Sequence, residues 1–490
     1  MAEAQTPPPS REPAFASLAR PRRMPLSGKR VLVLGLGATG LSVAKWVTRE
    51  GGRARVADTR AEPPCLGALK SQVPSAEALC GPLSTRLLEG VDLVCVSPGL
   101  PLEQEVVREA VSAGIPVCGD IELFAWGLEA LGRKKLVAIT GTNGKTTVTS
   151  LTAHLLRGAG LDIEVAGNIA PPVLDAFCAR LDAGRVPDVW VLELSSYQLE
   201  TTWALAADAA TMLNLSEDHL DRYPSLAAYG EAKARIFLGS GVQVLNRDDP
   251  GSMAMAVERR NRLTFGLGSP QGKADFGCIE AKGRKWIAEG KDALVEVDAL
   301  PVRGWHNAAN VMAAMALARA IGVAQAPLVK AVATFRGLRH RLEKVATIRG
   351  VEYYDDSKGT NVGATIAALE GIATQGARAG MDHPVILIAG GIGKGQDFTP
   401  LAQPVGEYAR MVCLIGEDAR RIEAAIASSG VRSERCVSLE DAVKRASLEA
   451  REHEAVLLSP ACSSFDMFRD YEHRGDAFSA AVRALEGAHG

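Results

Sequence analysis

The chain has 490 residues, of which 47% are apolar and 23% are charged, and its formal net charge is −2. It is too long for one hydrophobic core, and domains of about 100–200 residues each predict three of them. The balanced charge argues against nucleic acid as a partner, and the absence of an apolar run of roughly 18 residues argues against a membrane span.

The cysteines and the first 27 residues indicate the cellular compartment in which the protein occurs. Nine cysteines are scattered along the chain without a C-x-x-C pair, which is typical of reduced thiols in the cytoplasm and not of disulfides or a zinc site. Residues 1–27 are rich in proline and arginine and lack the apolar segment of a secretory signal. We predict that they form a disordered tail, and we expect a cytoplasmic monomer.

Strand-like apolar runs alternate with helix-length amphipathic stretches in the rest of the chain, a pattern that predicts doubly wound α/β domains. We predict three domains: Rossmann-like over 28–132, P-loop ATPase-like over 133–337 and Rossmann-like over 338–490. The first boundary falls at the Gly-Arg-Lys-Lys segment 132–135. Between 240 and 300 the pattern is weaker, and VQVLN, LTFGLG and ALVEVDAL predict strands.

The first domain carries a glycine signature. RVLVLG (30–35) has the pattern of a buried parallel strand, GLGATG (35–40) fits G-x-G-x-x-G, and RARVAD (53–58) supplies the next strand, which ends at Asp58. An acid about 20 residues after the glycines is typical of a βαβ unit that binds a dinucleotide. NAD, another phosphorylated ligand and a plain βαβ turn remain open as interpretations of these residues alone.

The second domain begins with LVAITGTNGKTT (136–147), an apolar run followed by a Gly-rich turn and Lys-Thr-Thr. The glycines let backbone N–H groups approach the phosphates of ATP, Lys145 places a positive charge on the β/γ oxygens, and Thr146 offers a hydroxyl to Mg²⁺. The loop is a shortened variant of G-x-x-x-x-G-K-[ST], since Ile139 replaces the first glycine, and an ordinary strand-to-helix turn is the alternative. The residues predicted to bind ATP are Gly141, Thr142, Asn143, Gly144, Lys145, Thr146 and Thr147.

Two further segments of this domain end in polar residues. DVWVLELSSYQLE (188–200) places Glu193 at the carboxyl end of an apolar strand, where open α/β sheets bind ligands, and this predicts a contact with Mg²⁺. A helix cap is the alternative for Glu193. His219 is flanked by Asp218 and Asp221, which suits an imidazole that faces a metal or phosphate, and a surface histidine is the alternative.

Three other groups are ambiguous by themselves. Lys233 lies in the helix-like stretch AAYGEAKARIF (227–237), and its position alone predicts a solvated helix lysine. The DDSK segment (355–358) is a polar turn after VEYY, and GGIGK (390–394) is a Gly-rich turn after a strand. Each of these turns is either a binding site or an ordinary connection.

The order of several motifs resembles the Mur ligases of peptidoglycan synthesis over about residues 28–485. The motifs are TGTNGKTT, GNIA, ELSSYQLE, NLSEDHLDRYP, WHN, HRLE, DDSKGTN, GGIGKG and LSPACSSFDMF. Within the family, GLGATGLS, ELSSYQLE and SPACSSFDMF look like the members that add D-glutamate. Asn143 argues against the alanine-adding members, which typically have histidine there, and the D-N-P-R motif of the diaminopimelate-adding type is missing.

The resemblance implies an ATP-dependent amide ligase that joins D-glutamate to UDP-N-acetylmuramoyl-L-alanine through an acyl phosphate and a tetrahedral intermediate. It implies that Lys145 and Thr146 hold ATP phosphates and Mg²⁺, and that Glu193 ligates the first metal ion. His219 and a carbamylated Lys233 would serve a second Mg²⁺.

The resemblance also implies three groups of binding residues. For adenine and ribose they are Asn307, Arg341 and Asp356; for the UDP substrate Thr39, Asp58, Thr59, Asn168 and Ser195; and for D-glutamate Lys358, Thr360, Lys394, Ser464 and Phe465, with Tyr471 stacking. Two positions depart from related sequences, because Gly359 stands where Ala is frequent and Asp355 where Asn is frequent.

Other enzyme classes remain as alternatives. A folylpolyglutamate-synthase-like ligase shares the ATP loop and the amide-forming chemistry but typically lacks the first βαβ domain. Residues 30–58 would support an NAD-dependent oxidoreductase or an NAD sensor. The ATP loop argues against an NAD-binding protein and also against a non-catalytic scaffold.

Overall fold

The computed structural model describes residues 14–132, 134–219, 222–302, 304–374 and 380–487. Three parts of the sequence predictions lie outside these residues: the first 13 positions of the predicted tail, Arg133 of the predicted boundary segment, and Asp221 beside His219. Among the helices described, none is long and apolar enough to cross a membrane.

The N-terminal part of the chain forms a parallel five-stranded sheet with order β3-β2-β1-β4-β5. Its strands are β1 Arg30–Leu34, β2 Arg53–Asp58, β3 Glu77–Cys80, β4 Leu93–Val96 and β5 Val117–Cys118, and its helices are α1 Ala38–Arg49, α2 Leu66–Gln72, α3 Glu105–Ser112 and α4 Asp120–Ala130. The predicted βαβ unit is confirmed, because β1 and β2 pair in parallel around α1. A Cβ on Gly40 would lie 1.9 Å from the carbonyl oxygen of Gly35, so the third glycine allows the helix to pack against the loop.

A second parallel sheet has six strands in the order β11-β10-β9-β6-β8-β7. Its strands are β6 Lys135–Thr140, β7 Ile163–Gly167, β8 Val189–Glu193, β9 Ala209–Met212, β10 Val242–Asn246 and β11 Arg262–Phe265, and its helices are α5 Lys145–Gly158, α6 Val173–Asp182, α7 Ser196–Glu200, α8 Leu226–Ala234 and α9 Pro250–Ala254. Both sheets belong to the first of two compact units. Helices of the two sheets share one core, in which Phe124 packs edge-on against Phe177 and Trp190.

The second compact unit contains an antiparallel three-stranded sheet and a six-stranded sheet. The elements from residue 276 onward are β12 Phe276–Ala281, β13 Arg284–Glu289, β14 Asp292–Glu296, α10 Trp305–Ala320, α11 Gln325–Val332, β15 Glu343–Ile348, β16 Val351–Asp355, α12 Val362–Ala373, β17 Val385–Gly390, α13 Ala402–Tyr408, β18 Ala409–Ile415, α14 Ala419–Ile426, β19 Arg432–Arg435, α15 Leu439–Glu449, β20 Ala455–Leu458 and α16 Tyr471–Gly487. The larger sheet has the order β15-β16-β20-β17-β18-β19, and only β15 runs antiparallel. The predicted α/β class is confirmed, and the domain boundaries at 132/133 and 337/338 stay predictions.

The prediction of a disordered tail is wrong for residues 14–27. A 3-10 helix spans Ala14–Ser17, and the side chains of Phe15 and Leu18 are buried in the core beside Tyr229. The apolar side chains in this segment explain the difference, because burying them favours order despite the neighbouring prolines and arginines.

Candidate functional site

The phosphate-binding pattern forms the turn between β6 and α5. Its last glycine, Gly144, is the helix N-cap and has φ +82°, a left-handed conformation that glycine adopts without strain. The Nζ of Lys145 donates hydrogen bonds to the carbonyl oxygens of Gly141 at 2.9 Å and Thr142 at 2.8 Å. The strand, the turn and the helix N-terminus thus have the arrangement that binds a phosphate group.

Asn214 holds this turn, and sequence analysis did not predict it. Its Oδ1 accepts a hydrogen bond from the backbone N–H of Asn143 at 2.8 Å, and its Nδ2 donates to the carbonyl oxygen of Asn143 at 3.2 Å. Its own carbonyl oxygen accepts from the N–H of Thr142 at 2.9 Å. The signal was present in the sequence, since Asn214 closely follows β9 and so lies at the ligand-binding edge of the sheet.

Glu193 ends β8, as predicted, and only 2% of its surface is exposed. Its Oε1 accepts a hydrogen bond from Nδ2 of Asn168 at 2.9 Å, whereas Oε2 is buried and has no hydrogen-bond partner among the described residues. A buried carboxylate oxygen without a partner is unfavourable unless a cation approaches it. The site therefore fits Mg²⁺, which prefers oxygen ligands.

Lys233 is not the solvated lysine that its position alone predicts. It is 1% exposed, and its Nζ donates to the carbonyl oxygen of Gly141 at 2.8 Å and to Oγ1 of Thr140 at 3.3 Å. The same Nζ lies 4.6 Å from the ring centroid of Tyr229. The structure thus brings Lys233 to the turn between β6 and α5, because α8 lies beside the end of β6.

His219 has a half-buried side chain, 30% exposed, and a left-handed backbone with φ 56°. The backbone N–H of His219 donates to Oδ1 of Asp218 at 2.9 Å, and the ring Nε2 of His219 lies 3.7 Å from Oδ2 of Asp218. Asp218 is therefore the carboxylate neighbour that the sequence predicts. The proposed contact of His219 with a metal ion stays a prediction.

A cavity of about 610 Å³ lies at the carboxyl ends of β1, β2 and β4. Four of the five residues predicted to hold the UDP substrate line it: Thr39, Asp58, Thr59 and Asn168. Residues 97–100, Arg60 and Gln198 also line it and were not predicted. The sequence could have indicated Arg60 as a cavity residue, because it lies two residues after Asp58 at the end of β2.

Asp58 is tied to the glycine loop at the edge of this cavity. Its Oδ2 accepts from the N–H of Leu36 at 2.7 Å and from Nη2 of Arg60 at 2.7 Å, and its Oδ1 accepts from Nε of Arg60 at 2.8 Å. These bonds, above all those with Arg60, hold the pKa of Asp58 far below its usual range. Asp58 is therefore an anion that orders the loop after β1 and positions Arg60 at the cavity wall.

Ser195 is the N-cap of α7 and is not among the residues that line the cavity. Its Oγ accepts from the N–H of Gln198 at 3.3 Å, while the Gln198 side chain accepts from the N–H of Ser195 at 3.3 Å. This capping box is readable in the S-x-x-Q spacing. Gln198 connects Ser195 to the cavity, and the direct role of Ser195 in substrate binding stays a prediction.

In the second unit, a cavity of about 500 Å³ is lined by Asn307 and Arg341, two of the residues predicted to hold adenine and ribose. The third, Asp356, does not line it, and its Oδ2 accepts from Oγ of Ser459 at 2.8 Å. Burial raises the pKa of Asp356 to about 7. Gly359 lies close to this pair, since a Cβ there would lie 2.5 Å from Oδ2 of Asp356 and would make that side chain shift.

The residues predicted for D-glutamate lie on three loops of the second unit and, for Tyr471, at the start of α16. The Nζ of Lys358 is 3.7 Å from the ring centroid of Tyr471, a distance typical of a cation–π contact. Ser464 is 2% exposed, whereas Phe465 is 69% exposed. Lys394 is exposed with φ 50°, and Thr360 is half-buried. The structure pairs Lys358 with Tyr471, and the remaining roles stay predictions.

Three family models match successive parts of the chain. They are described as Mur ligase MurD-like, N-terminal domain, over residues 29–119; Mur ligase middle domain, over 139–318; and Mur ligase, glutamate ligase domain, over 340–462.

Curated relatives match almost the full length. One is the UDP-N-acetylmuramoylalanine--D-glutamate ligase of Nitrosospira multiformis, which is 53% identical over 95% of this chain and 97% of its own. The protein of the same name from Nitrosomonas europaea is 49% identical over 94% of this chain and 98% of its own.

Solved structures show the same fold at low identity. MurF from Acinetobacter baumannii superposes with a TM-score of 0.60 at 16% identity, covering 93% of this chain and 91% of that chain. The UDP-N-acetylmuramate-alanine ligase MurC from Thermotoga maritima gives 0.58 at 18% identity, covering 93% and 99%.

Proposed function

The chain belongs to the Mur ligase family, and from this membership we propose that it is an ATP-dependent ligase that adds D-glutamate to UDP-N-acetylmuramoyl-L-alanine in peptidoglycan precursor synthesis. The observation that carries the proposal is its similarity, over nearly all of both chains, to relatives named for this reaction. The turn between β6 and α5 and the cavity on the first sheet support the proposal, because such a reaction needs a site for ATP and one for the UDP substrate in addition to one for D-glutamate.

The proposed chemistry begins with an unreactive group. A carboxylate is a poor electrophile, so the terminal carboxylate of the UDP substrate attacks the γ-phosphorus of ATP and becomes an acyl phosphate, with release of ADP. The amine of D-glutamate then attacks the acyl carbon, loses a proton, and the tetrahedral intermediate expels phosphate. Lys145 and the N–H groups of the turn between β6 and α5 stabilise the negative charge that moves between phosphate oxygens.

We propose two Mg²⁺ sites, one with Thr146 and Glu193 and one with His219 and Lys233. When bound, Mg²⁺ neutralises the clustered negative charge of the phosphate and carboxylate groups. The Oε2 of Glu193, which is buried without a hydrogen-bond partner in the part of the chain that the structure describes, supports the first site. An unmodified lysine ammonium would repel a cation, so we propose that Lys233 is carbamylated, which converts its amine into an anionic oxygen ligand.

We propose that the cavity on the first sheet binds the UDP substrate. Thr39, Asp58 and Thr59 would hold its uridine end, and Asn168 and Ser195 would hold its sugar and peptide part. Ser195 does not line the cavity, but Gln198, which forms the capping box with it, does. In an NAD site the strand-ending acid accepts hydrogen bonds from a ribose. Here both oxygens of Asp58 already accept bonds from Leu36 or Arg60. Asp58 therefore serves the proposed site by ordering Arg60 and the loop at Leu36, and the choice of a UDP substrate over NAD is supported by the relatives named for that substrate.

We assign the remaining predicted residues to the other two ligands. Adenine and ribose of ATP are assigned to Asn307, Arg341 and Asp356, and D-glutamate is assigned to Lys358, Thr360, Lys394, Ser464, Phe465 and Tyr471. Two of the first group line one cavity, and Lys358 and Tyr471 are in contact, which supports these assignments. The protein is proposed to act as a monomer in the cytoplasm. A molar mass measured by light scattering would test whether it is a monomer.

Phosphate release from ATP tests the function directly. We expect release only when the UDP-muramoyl substrate and D-glutamate are both present, with Mg²⁺, and only weakly when another amino acid from a panel replaces D-glutamate. Release that depends on a folate and glutamate would instead identify a folylpolyglutamate-type ligase. Hydride transfer to NAD without ATP turnover would identify an oxidoreductase, and no turnover with any combination would indicate a scaffold.

A further inference from the structure

Arg474 is a buried cation near the N-terminus of α16 that no motif of the sequence analysis includes. It is 1% exposed, and among the described residues no carboxylate oxygen lies within salt-bridge distance of it. Its Nε donates to Oγ of Ser357 at 3.0 Å, and its Nη2 donates to the carbonyl oxygens of Ser357 at 2.8 Å and Cys462 at 3.1 Å. Its Nη1 is buried and makes no hydrogen bond within the described chain.

The two acceptors belong to different loops. Ser357 lies in the turn between β16 and α12, directly before Lys358, and Cys462 lies in the segment after β20 that leads to Ser464. These residues are far apart in sequence, so one guanidinium holds together two loops that meet only in the folded chain. The Oγ of Ser357 also donates to the carbonyl oxygen of Tyr471 at 2.8 Å, which extends the connection to the residue that contacts Lys358.

The backbone of α16 packs closely against neighbouring side chains beside Arg474. A Cβ on Gly475 would lie 2.2 Å from Nδ1 of His340 and 2.7 Å from Oδ2 of Asp355, so the helix backbone packs directly against these side chains. Gly475 follows Arg474 immediately, so the helix backbone beside Arg474 is packed closely against the end of β16.

Burial of a cation with no carboxylate at salt-bridge distance among the described residues opposes folding, although the charges of Asp466, Asp355 and Asp356 offset part of this cost. Desolvation lowers the pKa of Arg474 to about 10, so the group remains protonated at neutral pH. An apolar side chain of similar length would fill the same space without desolvating a charge. A residue that only fills the core gives no reason for an arginine here, whereas the planar guanidinium donates from Nε and Nη2 together to three acceptors on two loops.

We propose that Arg474 is a positioning residue for the amino-acid substrate, which it serves by holding the Lys358 loop and the Ser464 loop at the spacing that D-glutamate requires. The inference rests on the proposed function and assigns to the same reaction a residue that lines neither of the two cavities. Arg474 acts through Ser357 and Cys462 and is not itself assigned a contact with the substrate.

The test measures KM for each of the three substrates and kcat in the full-length protein. Arg474→Met keeps the length of the side chain but removes all three hydrogen bonds, and Arg474→Lys keeps the charge and can reach only some of the acceptors. We expect KM for D-glutamate to rise at least about tenfold in Arg474→Met and less in Arg474→Lys, with KM for ATP and for the UDP substrate within about twofold of wild type. Arg483→Met, an exposed arginine on the same helix, is the matched control and should leave all three values unchanged.

Each outcome decides the inference. An unchanged KM for D-glutamate in folded Arg474→Met, or a parallel rise of all three KM values, overturns it. If Arg474→Met does not fold, Arg474→Lys decides in the same way, and failure of both variants to fold would show that the residue serves stability alone. The wild-type assay separates this result from the proposed function, because a wild type without D-glutamate-dependent phosphate release refutes that function before any variant is compared.

Discussion

Asn168 and Glu193 are joined by a hydrogen bond of 2.9 Å from Nδ2 to Oε1, and this bond orients the carboxylate while its Oε2 remains without a partner among the described residues. The two residues come from the carboxyl ends of neighbouring parallel strands, β7 and β8. Gly167 makes this approach possible, since a Cβ there would lie 2.2 Å from the carbonyl oxygen of Glu193.

The first prediction concerns this carboxylate. Glu193→Gln preserves size and the fold but removes the negative charge, so we expect kcat to fall by about a hundredfold or more and the Mg²⁺ concentration for half-maximal activity to rise. Activity titrated against Mg²⁺ measures both effects. Glu258→Gln, at an exposed position, is the control. An unchanged Mg²⁺ requirement in Glu193→Gln would rule out Glu193 as a metal ligand.

The second prediction concerns Lys145. Lys145→Ala removes a positive charge from a loop without removing core volume, so ligation should be abolished while the thermal unfolding temperature stays close to wild type. Phosphate release and a melting curve on the same preparation measure the two properties. Lys70→Ala, an exposed lysine of α2, should behave as wild type. Turnover above about a tenth of wild type in Lys145→Ala would contradict an electrostatic contribution of several kcal/mol.

The third prediction concerns the cavity on the first sheet. Calorimetric titration of the full-length protein should show binding of the UDP-muramoyl substrate and no binding of NAD. Asp58→Asn should weaken substrate binding by about tenfold, because the loss of the charge releases Arg60 and loosens the loop at Leu36. Asp92→Asn serves as the matched control, since Asp92 accepts from Lys29 and the Arg30 N–H in the same sheet but does not line the cavity. Tight NAD binding would refute the UDP assignment.

The fourth prediction concerns the modification of Lys233. If a carbamate supplies the negative charge, Lys233→Ala should be nearly inactive, and a short-chain carboxylic acid that fills the vacated space should restore part of the activity. Recovery should saturate with added acid and should be absent in Lys145→Ala. Lys444→Ala, an exposed helix lysine, controls for general effects. Near-normal activity of Lys233→Ala in carbon-dioxide-depleted buffer would exclude the carbamate role.

The fifth prediction concerns stability and pH. The Nδ1 of buried His340 lies 2.7 Å from Oδ2 of Asp355, and this hydrogen bond raises the pKa of His340 above its usual value. Stability from a raised histidine pKa is fully present below the unfolded pKa of about 6.5 and is lost as pH rises through the folded value. The free energy of unfolding should therefore fall as pH rises above about 6.5.

Denaturant titrations across this pH range compare wild type with Asp355→Asn, which removes the carboxylate that binds His340. We expect the difference in unfolding free energy between the two proteins to be largest at low pH and to shrink as pH rises. Asp476→Asn should show the same pH dependence more weakly, because Asp476 is more exposed, lies 3.8 Å from Nε2 of His340 and raises its pKa less than Asp355 does. A difference that stays constant with pH would show that the histidine charge is not coupled to Asp355.

The sequence by itself determined the local features of this protein. An apolar run followed by Gly144 and Lys145 is enough to specify a strand, a turn and a helix N-terminus, because backbone conformation and charge there depend on neighbouring residues. The same holds for the βαβ unit that ends at Asp58 and for the strand that ends at Glu193. The order of such motifs along the chain was sufficient to indicate the family.

Tertiary structure decided the features that depend on residues far apart in sequence. Lys233 is buried against the turn between β6 and α5 because α8 packs there, although the sequence of its own helix predicts a solvent-exposed side chain. Asn214 and Arg474 act on backbone groups of distant loops, and no local pattern marks such contacts. Phe15 and Leu18 are ordered because a core formed by later segments buries them. Burial and side-chain partners arise from packing of the whole chain, and a sequence pattern within one segment does not contain them.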